Sequence, residues 1–153
     1  MNVILLFEQW VEQLPDGCAV REVVTGRELT YRQLWQSAGR FARRLRADGV
    51  RPGDVVGLAM DRSLDLVVAL VAVLRAGGAY LPHDAQAPAG RIVAVLAEAG
   101  VRLVVQAGPP AAADSGPRWP LPPGVTRLVW AGPDSADSAD SAGPAAIAPR
   151  TGA

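Results

Sequence analysis

The sequence predicts an α/β fold: a partial doubly wound parallel sheet with flanking helices, a short N-terminal hairpin and a disordered C-terminal tail. Three features point there. Strand-like stretches at Asp54–Met60, Tyr80-Leu81 and Val101–Val105 alternate with helical stretches, and only a few residues separate them. Such an alternation fits parallel strands joined by right-handed crossovers. The helix between the first two strands is apolar on every side from Leu66 to Leu74, which calls for cover on both of its faces. Beyond Gln106 the periodicity fades. Three regions result: 1–106, the α/β unit; 107–132, a connection rich in Pro, Ala and Gly; and 133–153, a low-complexity tail.

Each element has its own signal. Val3, Phe7, Trp10, Val11 and Leu14 recur at helical spacing, with Glu8, Gln9, Glu12 and Gln13 between them, and Pro15-Asp16-Gly17 ends that helix. Ala19–Val24 and Glu28–Thr30 read as strands joined at Thr25-Gly26, a hairpin. Thr30, with Gln33 three residues on, has the form of a capping box. The helix it opens buries a stripe of Leu34, Ala38, Phe41 and Leu45 and leaves Arg40, Arg43, Arg44 and Arg46 largely outside. Gly49 stops it, and Arg51-Pro52-Gly53 turns the chain.

Ser63 is an N-cap for the apolar helix, and Asp65 suits its positive first turn. Gly77 or Gly78 can take the left-handed conformation that ends it. Pro88 opens another helix with an inner face of Ile92, Val95, Leu96 and Ala99, and Gly100 closes it. Val125–Trp130 is a candidate fourth strand. The repeat Asp134-Ser135-Ala136-Asp137-Ser138-Ala139-Asp140-Ser141-Ala142 carries too little apolar surface to order a chain. Its aspartates lack the Gly and bidentate Glu of a calcium loop.

Composition narrows the function classes. The 153 residues suffice for one domain, half are hydrophobic, and the formal net charge is zero, so no nucleic-acid or membrane partner is expected. All fifteen basic residues are arginine, and with much Ala, Gly and Pro this composition points to a GC-rich, bacterial source. No apolar run reaches the roughly 18–20 residues of a membrane span, and the N-terminus lacks the basic region of a signal peptide, so a cytoplasmic location is expected. Cys18 stands alone, which rules out an internal disulfide and a cysteine metal cluster; it is expected in the core. His83 is the one histidine and, beside a turn, is expected to be structural.

Several stretches, in order, carry a resemblance. Leu29, Thr30, Tyr31 and Leu34 form a Leu-Thr-Tyr followed by a polar pair and Leu. Leu74-Arg75-Ala76-Gly77-Gly78-Ala79-Tyr80-Leu81-Pro82-His83-Asp84 closes the apolar helix, turns on two glycines and enters a strand. Leu14-Pro15-Asp16, Val50–Gly57, Asp61-Arg62-Ser63 and Ala87–Arg91 fall in the matching order. Together they resemble the N-terminal part of a non-ribosomal peptide synthetase adenylation domain, in the AMP-binding, adenylate-forming superfamily. The match runs over residues 3–106 and weakly over 124–132. Arg75 stands where the family has lysine, which keeps the charge, and His83 where it has an apolar residue.

The resemblance implies a parent chemistry: an amino acid and ATP, with Mg, give an aminoacyl-AMP, which is loaded on a phosphopantetheine carrier protein. It equally implies that the phosphate-binding loop, the ribose aspartate, the metal acid and the amino-acid pocket lie downstream of the stretch matched. The family's adenylation step uses a lysine, and this chain has none. No catalytic, cofactor-binding or metal residue is therefore expected here. Leu29, Thr30, Tyr31, Leu34, Ala76, Gly77, Gly78, Ala79, Tyr80, Pro82 and Asp84 are expected as structural motif residues. The chain is expected to be a truncated or split portion, inactive alone, whose partner is a second chain carrying the rest of the domain. A gene remnant without activity and a repurposed non-catalytic interaction module are the alternatives.

Overall fold

The computed structural model describes residues 2–84, 87–108 and 120–132. The expected tail at 133–153, with its repeat, and most of the 107–123 stretch lie outside the described residues. The chain begins with helix α1 (Val3–Gln13), capped by Asn2, whose side chain accepts from the Ile4 amide at 3.0 Å. Strands β1 (Cys18–Arg21) and β2 (Glu28–Thr30) form the antiparallel hairpin. Then come α2 (Tyr31–Ala47), β3 (Val55–Ala59), α3 (Leu64–Arg75), β4 (Ala79–Pro82), α4 (Ala89–Glu98), β5 (Leu103–Ala107) and β6 (Thr126–Trp130).

β3 to β6 form one parallel sheet in the order β4-β3-β5-β6. The chain steps from β3 to β4 through α3, then back over β3 to β5 through α4. Both the direction and the covering face reverse between the two steps, so the crossovers share one hand, as a doubly wound sheet requires. Alternate residues separate the two faces. Val56, Leu58, Leu103 and Val105 join the large core made with α2 and α3, while Val55, Ala59, Leu81 and Val104 join a smaller core under Ile92 and Leu96 of α4. β6, a candidate strand by sequence, pairs with β5 over five residues, and its Trp130 stacks on Phe41 with centroids 4.7 Å apart.

The predicted capping box at α2 is present: Thr30 Oγ1 accepts from the Gln33 amide at 3.2 Å, and Gln33 Oε1 accepts from the Thr30 amide at 2.9 Å. All four residues of the predicted stripe are buried. Small residues (Ala38 and Ala42 on α2, Ala69, Ala72 and Ala76 at α3) let the two helices approach closely. Arg44 instead turns in to Asp48 at 2.9 Å.

Four expectations are corrected. Cys18 is exposed, because it starts a strand of a two-stranded ribbon and sits on its outer side. β1 ends at Arg21 rather than at Val24: the Glu22 and Gly26 amides bond to Arg27 and Glu22 carbonyls at 2.8 Å, which tightens the turn and leaves Val23 and Val24 exposed. Arg21 and Glu28, paired at 2.8 Å, close the ribbon below that turn. On α4, Ile92 and Leu96 take the inner face at i and i+4, and Val95 falls to the exposed side. α3 is not wholly covered either; Leu66, Val67, Leu70 and Val71 are half-buried on its outer side.

Candidate functional site

The motif residues gather in two places, neither of which is a crevice lined with reactive groups. Leu29 is half-buried against the large core, Thr30 caps α2, and Leu34 is buried. Tyr31 joins an aromatic cluster with Phe7 and Trp10, at centroid distances of 5.5 and 6.1 Å. Trp35 extends the cluster by stacking on Phe7 at 5.6 Å, and the Arg75 guanidinium lies 3.5 Å over its ring. Arg75 also donates to the Trp35 carbonyl, and Arg46 donates to the Arg75 carbonyl. Gly39 leaves room for that guanidinium: a Cβ there would stand 2.5 Å from Arg75 Nη1. Burial pulls the Arg75 pKa below the ordinary arginine value, yet the group stays cationic. Its place is a tie between α2 and α3.

The second gathering is the glycine turn at the amino ends of β3 and β4. Ala76 is buried, and Gly77 has φ +86°, the left-handed region that terminates α3. Two hydrogen bonds lace this turn to the Arg51–Asp54 turn: Gly53 amide to Gly77 carbonyl at 2.9 Å, and Ala79 amide to Asp54 carbonyl at 2.8 Å. A Cβ on Gly78 would sit 2.9 Å from that Asp54 carbonyl oxygen. Two sequence motifs far apart in the chain thus meet as one backbone joint. It lies at the wrong end for ligands, since parallel α/β sheets bind beyond the carboxyl ends of their strands.

From that joint β4 runs toward the carboxyl end of the sheet. Ala79 and Tyr80 are exposed on it, and Pro82 and Asp84 are exposed beside His83. The His83 amide bonds to the Leu58 carbonyl at 3.0 Å and continues the ladder past Pro82. Its ring lies over Gly57, 3.5 Å from where a Cβ would be, against the space shared with Leu96 and Val104. The register then sets His83, Ala59 and Gln106 in one row across three strands. Gln106 is a buried amide that composition alone did not single out; its signal was a polar residue directly after the apolar Leu103-Val104-Val105.

Burial also pushes the His83 pKa below the usual imidazole value. The unfolded chain therefore binds the proton more readily, and stability rises with pH until the ordinary value is passed. The contribution is complete above about pH 6.5 and is lost as pH falls through and below it. The expected result is a thermal midpoint that drops between about pH 7.5 and 5.5 in the wild type, and drops measurably less in His83→Gln.

A family model described as AMP-binding enzyme matches residues 7–148. The chain belongs to that family. Within it, the chain is 44% identical over 100 residues to gramicidin S synthase 2 of Brevibacillus brevis, covering 65% of this chain and 2% of that one. It is 46% identical over 100 residues to phosphinothricin tripeptide synthetase PhsB of Streptomyces viridochromogenes, covering 65% of this chain and 8% of that one. A crystal structure of the non-ribosomal peptide synthetase FmoA3 superposes with a TM-score of 0.73 at 34% identity, over 97% of this chain and 15% of that chain. The N-terminal subdomain of Klebsiella oxytoca NpsA shares the fold with a TM-score of 0.69 at 24% identity, over 84% and 30%.

The chain thus corresponds to an N-terminal portion of a non-ribosomal peptide synthetase adenylation domain and spans less than a tenth of these curated relatives. Among the described residues no group of three or more His, Cys, Asp or Glu side chains is placed to hold a metal ion. The N-termini of α2 and α3 are closed by Thr30 and Ser63, and Asp65 adds a negative charge to the first turn of α3. Among the described residues no helix is long and apolar enough to cross a membrane.

Proposed function

We propose that this chain is the N-terminal portion of an amino-acid-activating adenylation domain of non-ribosomal peptide biosynthesis, and that it supplies scaffold rather than chemistry. The parent reaction joins an amino acid to ATP, releases pyrophosphate, and passes the aminoacyl group to the thiol of a carrier protein. The observation that carries this reading is the likeness to FmoA3 over 97% of the chain at 34% identity. The motif residues support it by serving joints and caps: Thr30 at a helix start, Gly77 and Gly78 at a backbone crossing. The remaining groups of the reaction come from further polypeptide, on a second chain in the split form, and ATP and Mg bind there.

A chimera tests this role. Residues 3–132 replace the aligned segment of an adenylation domain of gramicidin S synthase 2. The expected result is amino-acid-dependent exchange of pyrophosphate into ATP that is retained within about tenfold, with the host's amino-acid preference unchanged. A folded chimera with no exchange, or one with a new preference, would sink the reading.

A further inference from the structure

Charge is spread unevenly over this chain. Helix α2 carries Arg32, Arg40, Arg43, Arg44 and Arg46 and no carboxylate. Arg32 meets Asp16 at 3.4 Å, and Arg44 meets Asp48 at 2.9 Å. Arg43 and Arg46 are exposed, and the half-buried Arg75 of α3 accepts from Arg46 through its carbonyl. Burial does most to lower the Arg75 pKa; Glu8 opposes it, and the charges of Arg46 and Arg43 add to it. Among the described residues, these three cations stand close enough to repel one another with Glu8 set against them, on a chain of zero net charge.

Balancing charge lies in the sequence just past β6. Trp130 stacks on Phe41, which sits between Arg40 and Arg43 on α2, with ring centroids 4.7 Å apart. Gly132 then comes to the first turn of α3, where a Cβ would stand 3.6 Å from Asp65 Oδ1. Soon after follow Asp134, Asp137 and Asp140, and no basic residue comes before Arg150. An extended residue adds at most about 3.6 Å, so Asp134 lies within about 7 Å of Gly132 and Asp140 within about 29 Å. The helix advances about 9 Å from Arg40 to Arg46. The repeat is long enough to follow the arginines along it.

We infer that the outer side of α2, around Arg43 and Arg46, is a docking surface for an acidic segment, and that its occupant is this chain's own repeat at 134–142. Exposed ion pairs are weak one by one, so the contact depends on several carboxylates acting together. The short link from β6 keeps those carboxylates at a high effective concentration beside the helix. No apolar burial is required, and the repeat offers none. A polynucleotide fits less well, because Glu8 stands at the same face. The docked repeat neutralises the arginines and keeps other acidic chains off them. The inference is independent of the scaffold reading, and no exchange assay enters its test.

The test uses the full chain with Ser138→Cys in a Cys18→Ser background, carrying a nitroxide spin label on the new thiol. Cys18 is exposed, so its replacement leaves the core untouched. Amide signals of the nitrogen-labelled chain are compared before and after the nitroxide is reduced. The expected result is loss of signal at residues 40–47 and at Arg75, with the amides of the β1–β2 hairpin unchanged. The signals return at about 0.5 M salt, where the screening length is about 4 Å. Arg43→Glu also restores them, and Asp137→Arg added to Arg43→Glu brings the loss back. The salt readout requires neither charge variant to fold.

No loss at α2, or a loss spread evenly over the chain, overturns the inference. So does a loss at α2 that salt leaves unchanged, since charge would then not hold the contact. Mixing spin-labelled chain with separate nitrogen-labelled chain identifies the occupant. Loss of the α2 signals in that mixture would assign the surface to a second copy and reject the chain's own repeat.

Discussion

Gly78→Val is expected to leave the chain largely unfolded. The Cβ it adds would lie 2.9 Å from the Asp54 carbonyl oxygen and 3.2 Å from Val73 Cγ1. The first neighbour is backbone and cannot swing aside. That same carbonyl accepts the Ala79 amide at 2.8 Å, the rung on which β4 begins beside β3. Relief must come by parting the two strands or by lifting the end of α3 from them. Overpacking of one methyl in a close-packed place costs about 1–3 kcal/mol, and a branched side chain adds two more carbons at the same spot. Against a total of about 5–15 kcal/mol for a domain, such a loss is large.

Urea unfolding followed by circular dichroism reads the effect. Gly78→Ala should lower stability by about 1–3 kcal/mol, and Gly78→Val by more. Gly90→Ala is the control: it adds a methyl in α4 where nothing lies within 4 Å, and helix propensity alone makes it neutral or stabilising by up to about 1 kcal/mol. A Gly78→Val chain that unfolds at the wild-type midpoint would contradict the joint described here.

Most of the fold was legible because its signals are local. Thr30 with Gln33, Ser63, Gly49 and Gly77 mark helix ends through their own backbone needs, and these hold in the structure. The alternation of strands and helices carried the parallel sheet. The features that escaped depend on neighbours that no local pattern names. The place of Cys18 turns on which side of a ribbon is left open, and that of Val95 on about 100° of rotation per residue in a helix whose inner face two other residues already fill. Arg75 was legible as a retained charge, and its ring partner lies forty residues away on α2, in a space kept by Gly39.

The motif stretches were legible as wording, and the structure adds where they sit. The glycine turn meets Arg51–Asp54 at the amino ends of the strands, while His83 and Gln106 line the carboxyl end. Strand order was not readable in advance, since the chain steps out to β4 and back across β3. That order makes β4, which stops at Pro82, and β6 the outer strands of the sheet among the described residues.

The central claim is that this chain holds up a reaction whose chemical groups lie elsewhere. All of its basic residues are arginine, so it carries no compact ammonium to meet the charge that develops between carboxylate and phosphate. Loss of a single positioned donor of that kind costs an enzyme about 10²–10³ in rate. The measurement is amino-acid-dependent exchange of labelled pyrophosphate into ATP. It is made on the purified chain, on the remainder of a gramicidin S synthase 2 adenylation domain, and on the two co-expressed. The expected result is background from each piece alone and exchange about a hundredfold or more above it from the pair. Exchange by the purified chain alone would contradict the claim.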